Sequence, residues 1–338
     1  MGNAGTGNEA DRGNNTPQGQ EGLKPETRSQ PLSGVALFGL LFAVFCWGLS
    51  FPLIKEALDG GILPITLGVL RYFIGLIPLF LYLLFKKELG TMMKALREDW
   101  KLFLALGIFG ITVPNILQNF GMLWTSAHVS SVIQASGPIF TIMLAVVLLR
   151  EPLGLNKMAG AGLAILGTLL LITEGGVTLT GATFLGNMLV LLSAVSYAFS
   201  SILSKKSLEK YEPLTVAILS MMIGTPCLAV FWVFEDPVEH VPQISPYLWF
   251  IVIVLAILPG VVALLLWYVV LKTREVSRLI LFIYLIPVFA TVISYFFPGE
   301  LIKVSTVFFA ALTICGVMIA QYEKQKKEGE ADQVIQRL

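Results

Sequence analysis

The chain alternates long apolar runs with short polar breaks. A helix needs about 20 mostly apolar residues to cross a hydrocarbon core of roughly 30 Å. Ten runs meet that need, near residues 34–55, 64–85, 102–123, 129–149, 157–173, 184–204, 213–234, 247–271, 277–297 and 304–322. They are continuous rather than alternating, so the pattern predicts helices and not barrel strands. The fourth and fifth are parted only by residues 150–157, where Pro152 and Gly154 favour a turn. Residues 1–32, rich in Gly, Asn, Gln, Glu and Pro, predict a disordered tail, and residues 323–338 a second one. No signal peptide is expected, because the first apolar run starts late and is too long. Asn14 opens a glycosylation sequon that reads as a chance match in a cytoplasmic tail.

Composition agrees with lipid as the solvent. The chain is 56% apolar and 13% charged, against about 25% charged in ordinary soluble domains. That excludes a typical soluble enzyme and a disordered protein. A net charge of +1 leaves no basic field for nucleic acid. Three cysteines make no disulfide framework; Cys46, Cys227 and Cys315 fall in spans as small apolar residues.

Charge predicts orientation. All but three of the 23 lysines and arginines fall in the two tails or in the loops after the second, fourth, sixth and eighth spans. The exceptions are Lys55, Lys303 and, within a span, Arg71. The positive-inside rule then places both termini in the cytoplasm, and the expected location is the plasma membrane.

The two halves resemble each other. Residues 47–55 (WGLSFPLIK) end the first span and residues 197–205 (YAFSSILSK) end the sixth, at an offset of 150. At 149, Pro64, Thr66, Pro138, Glu151 and Gly167 meet Pro213, Thr215, Pro287, Glu300 and Gly316. Five spans per repeat is an odd number, so the second repeat enters the membrane inverted, as in secondary transporters. The expected fold is an all-α polytopic membrane protein of ten transmembrane helices, with repeats over residues 33–174 and 183–322.

That arrangement resembles the drug/metabolite transporter superfamily, specifically its EamA-type members. The resemblance rests on residues 47–55, on Arg71-Tyr72, on Ser136-Gly137-Pro138 through Arg150-Glu151-Pro152-Leu153, and on the echoes Ile286-Pro287 and Gly299-Glu300. It covers about residues 33–322 and implies an exporter or exchanger of small metabolites, often amino acids, with a central cavity.

Polar residues inside spans serve either packing or function. Asn115, Gln118 and Asn119 share one face of the third span, and Ser130, Gln134 and Thr141 surround Pro138 in the fourth. Ser193, Ser196, Tyr197, Ser200, Ser201 and Ser204 stripe the sixth, and Tyr284, Thr291, Ser294 and Tyr295 mark the ninth. The candidate substrate-binding set is Trp47, Ser50, Arg71, Tyr72, Asn115, Gln118, Asn119, Gln134, Tyr197, Ser200, Trp267, Tyr268 and Tyr284. Arg71 either receives a substrate carboxylate or serves structure, bonding helix-end carbonyls or snorkelling outward. Gly160, Ala164 and Thr168 form a small-residue stripe that predicts tight packing.

None of the 22 acids lies near the middle of a span, so no carboxylate proton relay or midplane metal site is expected, and no cofactor. His128 and His240 read as surface histidines of outer loops. The expected cargo is a small amino-acid-like molecule or carboxylate, exported or exchanged by alternating access, with the bilayer as the other partner. A lipid or hydrophobic-compound flippase is the alternative. An intramembrane enzyme lacks a nucleophile with its base. The expected state is a monomer, with a dimer also compatible with the sequence.

Overall fold

The structure, a computed structural model, describes residues 34–86, 89–150, 154–174, 181–294 and, in the last apolar run, 308–309, 311–312, 315–316 and 318–319. Every regular element among them is helical. Seven helices are long and apolar enough to span a bilayer. We label them α1 (Gly34–Asp59), α2 (Pro64–Lys86), α3 (Trp100–Leu123), α4 (Ala127–Leu148), α6 (Phe184–Lys210), α7 (Pro213–Glu235) and α8 (Pro246–Thr273). Between them α5 covers Leu155–Glu174, and after them α9 covers Ile280–Ser294. These nine follow the expected spans. The two tails, Glu151, Tyr295, Glu300 and most of the tenth span lie outside the described residues.

Connections are short and chemically explicit. Gly61, at φ 97°, ends α1 in a left-handed turn. There Gly61 N–H bonds Leu58 O and Ile62 N–H bonds Ala57 O, so two of the helix's last carbonyls are satisfied. Pro64 opens α2, where a missing N–H costs nothing. Between α2 and α3 a short amphipathic helix, Leu89–Glu98, buries only Met92 and Ala95.

The repeats interlock. α3 packs on α6 and α7, while α8 packs on α1 and α2. Likewise α4 meets α6, and α9 meets α1. Glycines permit the closest approaches. A Cβ on Gly121 would stand 2.7 Å from the Gly186 carbonyl, and one on Gly107 2.8 Å from Gly224 N. Gly316 of the tenth run lies against Gly160 and Ala164, so part of the small-residue stripe on α5 is a packing surface.

Irregular turns recur at the repeat offset. A π turn occupies Ile108–Thr112 in α3 and another Leu258–Val262 in α8. α4 breaks at Ala135 and Ser136 ahead of Pro138. α9 starts as a 3-10 turn, Ile280–Leu285, ahead of Pro287. Pro138, Pro259 and Pro287 each remove one backbone donor there, whereas Ile108–Thr112 contains no proline. Sites with this much local irregularity inside a membrane helix are tolerated where protein or a cavity surrounds them.

Candidate functional site

A cavity of about 160 Å³ lies between the repeats. One water takes about 10–15 Å³ on this measure, so the space holds a small organic molecule. Residues from the inner parts of α1, α2, α3, α4, α6, α7 and α8 and from the first turns of α9 line it.

Both π turns reach its wall. Gly110 and Gly260, 150 residues apart, both line it. A Cβ on Gly260 would stand 3.9 Å from Arg71 Nε, and one on Gly110 3.4 Å from the Ser200 Cβ. Trp47 donates its indole N–H to Pro259 O at 3.2 Å, a carbonyl of the second π turn. Its ring lies against Trp267, with centroids 5.3 Å apart.

Arg71 reaches the cavity from α2. It is buried, at 7% exposure, and its Nε has no hydrogen-bond partner. Its guanidinium stands 5.3 Å from the centroid of the Tyr72 ring. Among the described residues it makes no ion pair, and no Asp or Glu lines the cavity. An unpaired arginine at the centre of a span costs at least about 2.5–3.5 kcal/mol, so water or a ligand must compensate it.

Ten of the thirteen expected residues line this cavity: Trp47, Ser50, Arg71, Tyr72, Gln118, Gln134, Tyr197, Ser200, Trp267 and Tyr268. Three do not. Asn115 sits behind the wall, donating to the Tyr72 hydroxyl at 3.0 Å and to Ile111 O at 2.7 Å. It positions Tyr72 rather than facing the space. Asn119 donates to Pro64 O at 2.9 Å, tying α3 to the start of α2. Tyr284 is fully buried within α9. One helical face is wide enough that Gln118 points inward while the amides beside it point to neighbouring helices.

The serines are mixed in role. Ser193 and Ser196 bond Pro114 O and Phe109 O across the α6–α3 contact, which is packing. Ser200 and Ser201 both donate to Tyr197 O, one turn back on α6. Ser204 donates to the Tyr268 hydroxyl at 3.2 Å. Ser220 of α7 also lines the space, 149 residues after Arg71. Sequence reading did not select it, although the repeat offset pointed to it.

The repeat lysines close helix ends. Lys55 donates to Met122 O, at the end of α3. Lys205 donates to Leu271 O at 2.8 Å and Arg274 O at 2.6 Å, at the end of α8. The expectation for His128 fails: it lies in the first turn of α4, half-buried, 2.8 Å from Thr291 Oγ1 of α9. Packing of α4 on α9 draws it out of the loop.

Residues 34–173 and 184–322 each match the model of the EamA-like transporter family. The chain belongs to that family. An uncharacterized transporter of Archaeoglobus fulgidus is 30% identical over 83% of this chain and 96% of its own. A probable terminal-alkyne amino-acid exporter of Streptantibioticus cattleyicolor is 26% identical over 88% and 96%. A solved crystal structure superposes with a TM-score of 0.67 at 20% identity, covering 86% of this chain and 97% of that one. That likeness speaks for the fold. Membership of the EamA-like family makes the protein a multi-pass membrane transporter of a small molecule. Among the described residues no group of three His, Cys, Asp or Glu is placed to hold a metal.

Proposed function

We propose that the protein is an exporter or exchanger of a small organic metabolite, amino-acid-like or carboxylate. The cavity between the repeats holds the cargo, and alternating access comes from rocking residues 33–174 against 183–322. The single observation that carries this reading is Arg71: a buried, unpaired cation in a cavity lined by aromatics, amides and hydroxyls. Ser50, Gln118, Gln134 and Ser200 supply hydrogen bonds, and Trp47, Tyr72, Tyr197, Trp267 and Tyr268 supply flat apolar walls. Lysine and arginine placement supports cytoplasmic termini, and the plasma membrane is the proposed location. The amino-acid exporter among the relatives supports cargo of that size. Without an acid in the cavity wall, exchange or facilitated diffusion fits better than proton coupling.

Counterflow in proteoliposomes tests this, starting with an amino-acid and small-carboxylate panel, with and without a pH gradient. Trans-stimulated uptake of at least one member is expected. Arg71→Ala weakens its apparent affinity by roughly tenfold or more, since hydrogen bonds to charged groups contribute about 1.5–3 kcal/mol. Arg71→Lys at matched expression retains more. Accumulation that strictly requires the pH gradient would reject the exchange reading, and unchanged affinity in both variants would reject the role of Arg71.

A further inference from the structure

We infer that the cargo carries a net negative charge and a flat apolar body: a monocarboxylate with an aromatic ring and no ammonium group. The inference rests on the transporter reading and sharpens its substrate class.

The first argument is charge balance. Arg71 is buried at the cavity wall with its Nε unpartnered, and no Asp or Glu is among the described lining residues. A bound monoanion makes the site neutral. A bound zwitterion leaves it with a net positive charge in a low-dielectric space, where uncompensated charge is least tolerated. Its ammonium would meet only neutral acceptors and ring faces, which solvate a cation without cancelling its charge. Gln134 offers a buried amide oxygen without a partner, but a neutral amide accepts a hydrogen bond without balancing a cation. It suits a hydroxyl or a ring N–H on the cargo.

The second argument is the shape and polarity of the walls. Trp47 spends its N–H on Pro259 O and lies against Trp267, so the pair contributes ring surface to the cavity. Tyr72 lies beside the guanidinium. Ser200 and Ser201 direct their protons back to Tyr197 O. What remains beside one cation is mostly apolar, aliphatic on one part and ringed by Trp47, Tyr72, Trp267 and Tyr268 on another, and aromatic rings favour flat partners.

The third argument is the immediate surroundings of Arg71. The second π turn brings Gly260 beside its Nε with no side chain in between. That keeps backbone, not an acid, next to the guanidinium and leaves its free donors for a carboxylate, which it binds with two parallel hydrogen bonds.

Four probes of related skeleton separate the terms: 3-phenylpropanoate (anion), L-phenylalanine (zwitterion), L-phenylalanine methyl ester (cation) and propanoate (anion without a ring). Binding to the full-length detergent-purified protein is read by thermal shift and by quenching of tryptophan fluorescence. 3-Phenylpropanoate is expected to bind at least roughly tenfold tighter than each of the other three. Arg71→Gln removes that preference, and Arg71→Lys keeps its order. Monodispersity and the unliganded melting temperature check that both variants fold. Equal or tighter binding of L-phenylalanine, no binding of 3-phenylpropanoate, or an unchanged preference in Arg71→Gln each overturns the inference. If L-phenylalanine wins and is counterflowed in an Arg71-dependent way, the transporter reading stands and only the charge assignment falls. If no member of the wider amino-acid and carboxylate panel counterflows, the transporter reading itself falls.

Discussion

Lys55 and Lys205 are one residue used twice. Each leaves the end of the first helix of its repeat and binds carbonyls at the end of the third helix of the same repeat. Cations at helix C-termini satisfy orphan carbonyls and oppose the helix dipole. Lys205 makes the shorter and more numerous bonds, so Lys205→Met is expected to lower stability by about 1–3 kcal/mol, and more than Lys55→Met, in parallel thermal unfolding. Asp99 closes the neighbouring corner. It accepts from Lys210 Nζ at 2.9 Å and from the Tyr211 hydroxyl at 2.7 Å. The Lys210 bond, then that of Tyr211, holds the Asp99 carboxyl below its usual range, while burial and the Asp99 bond raise the Tyr211 hydroxyl. A depressed carboxylate stabilises the fold above its unfolded pKa of about 3.9 and loses that contribution as pH falls through its lower folded value. Asp99→Asn is expected to lower the melting temperature at neutral pH, and only slightly, because solvent screens so accessible a pair. The difference from the unmodified protein disappears in acid. An equal deficit at every pH would show that the contact acts by packing alone.

Elements were legible in proportion to their periodicity. Among the described residues nine of the runs are helices through most of their length, because a bilayer-length apolar segment has no other way to satisfy its backbone. What the pattern hid were the interruptions. Pro138 and Pro287 announced the breaks in α4 and α9. The π turn at Ile108–Thr112 contains no proline and no polar warning, and only its partner at Leu258–Val262 identifies it. The cavity was legible where side chains follow a stripe, as from Ser50 to Ser200. It was illegible where neighbouring helices claim the group. Asn115 and Asn119 have the same polarity as Gln118, and only the positions of Tyr72 and Pro64 decide their direction. Glycines show the same limit. Gly121 and Gly186 bring α3 and α6 into backbone contact, a fact no single-helix pattern contains. Gly121→Ala places a methyl against a carbonyl that cannot swing away. Overpacking of this kind costs typically about 1–3 kcal/mol. Gly90→Ala, at an open site on the surface helix, is the control expected to be neutral or slightly stabilising by helix propensity.

Across the whole molecule the two repeats are tied at both ends by acids that sequence reading assigned only to loops and helix ends. At one end Glu235, closing α7, accepts from the N–H groups of Ile65 and Thr66 at 2.8 and 2.7 Å and from the Thr66 hydroxyl. It thereby caps α2, whose preceding residue, Leu63, has no capping side chain. Trp232 adds a bond to the same Thr66 hydroxyl. At the other end Asp99 joins the start of α3 to the α6–α7 junction. If the repeats rock as proposed, opening one end loads the ties there and spares those at the far end. Weakening either tie is therefore expected to shift access toward its own end. Single cysteines replacing Ser50, nearer the Glu235 end, and Ser204, nearer the Asp99 end, report this in a background freed of Cys46, Cys227 and Cys315. Both positions line the cavity. Glu235→Gln is expected to raise maleimide labelling of the cysteine at 50 and lower that at 204, and Asp99→Asn to do the opposite. If both substitutions move both cysteines in the same direction, the ties contribute stability only, and the two ends do not exchange access by rocking about the cavity.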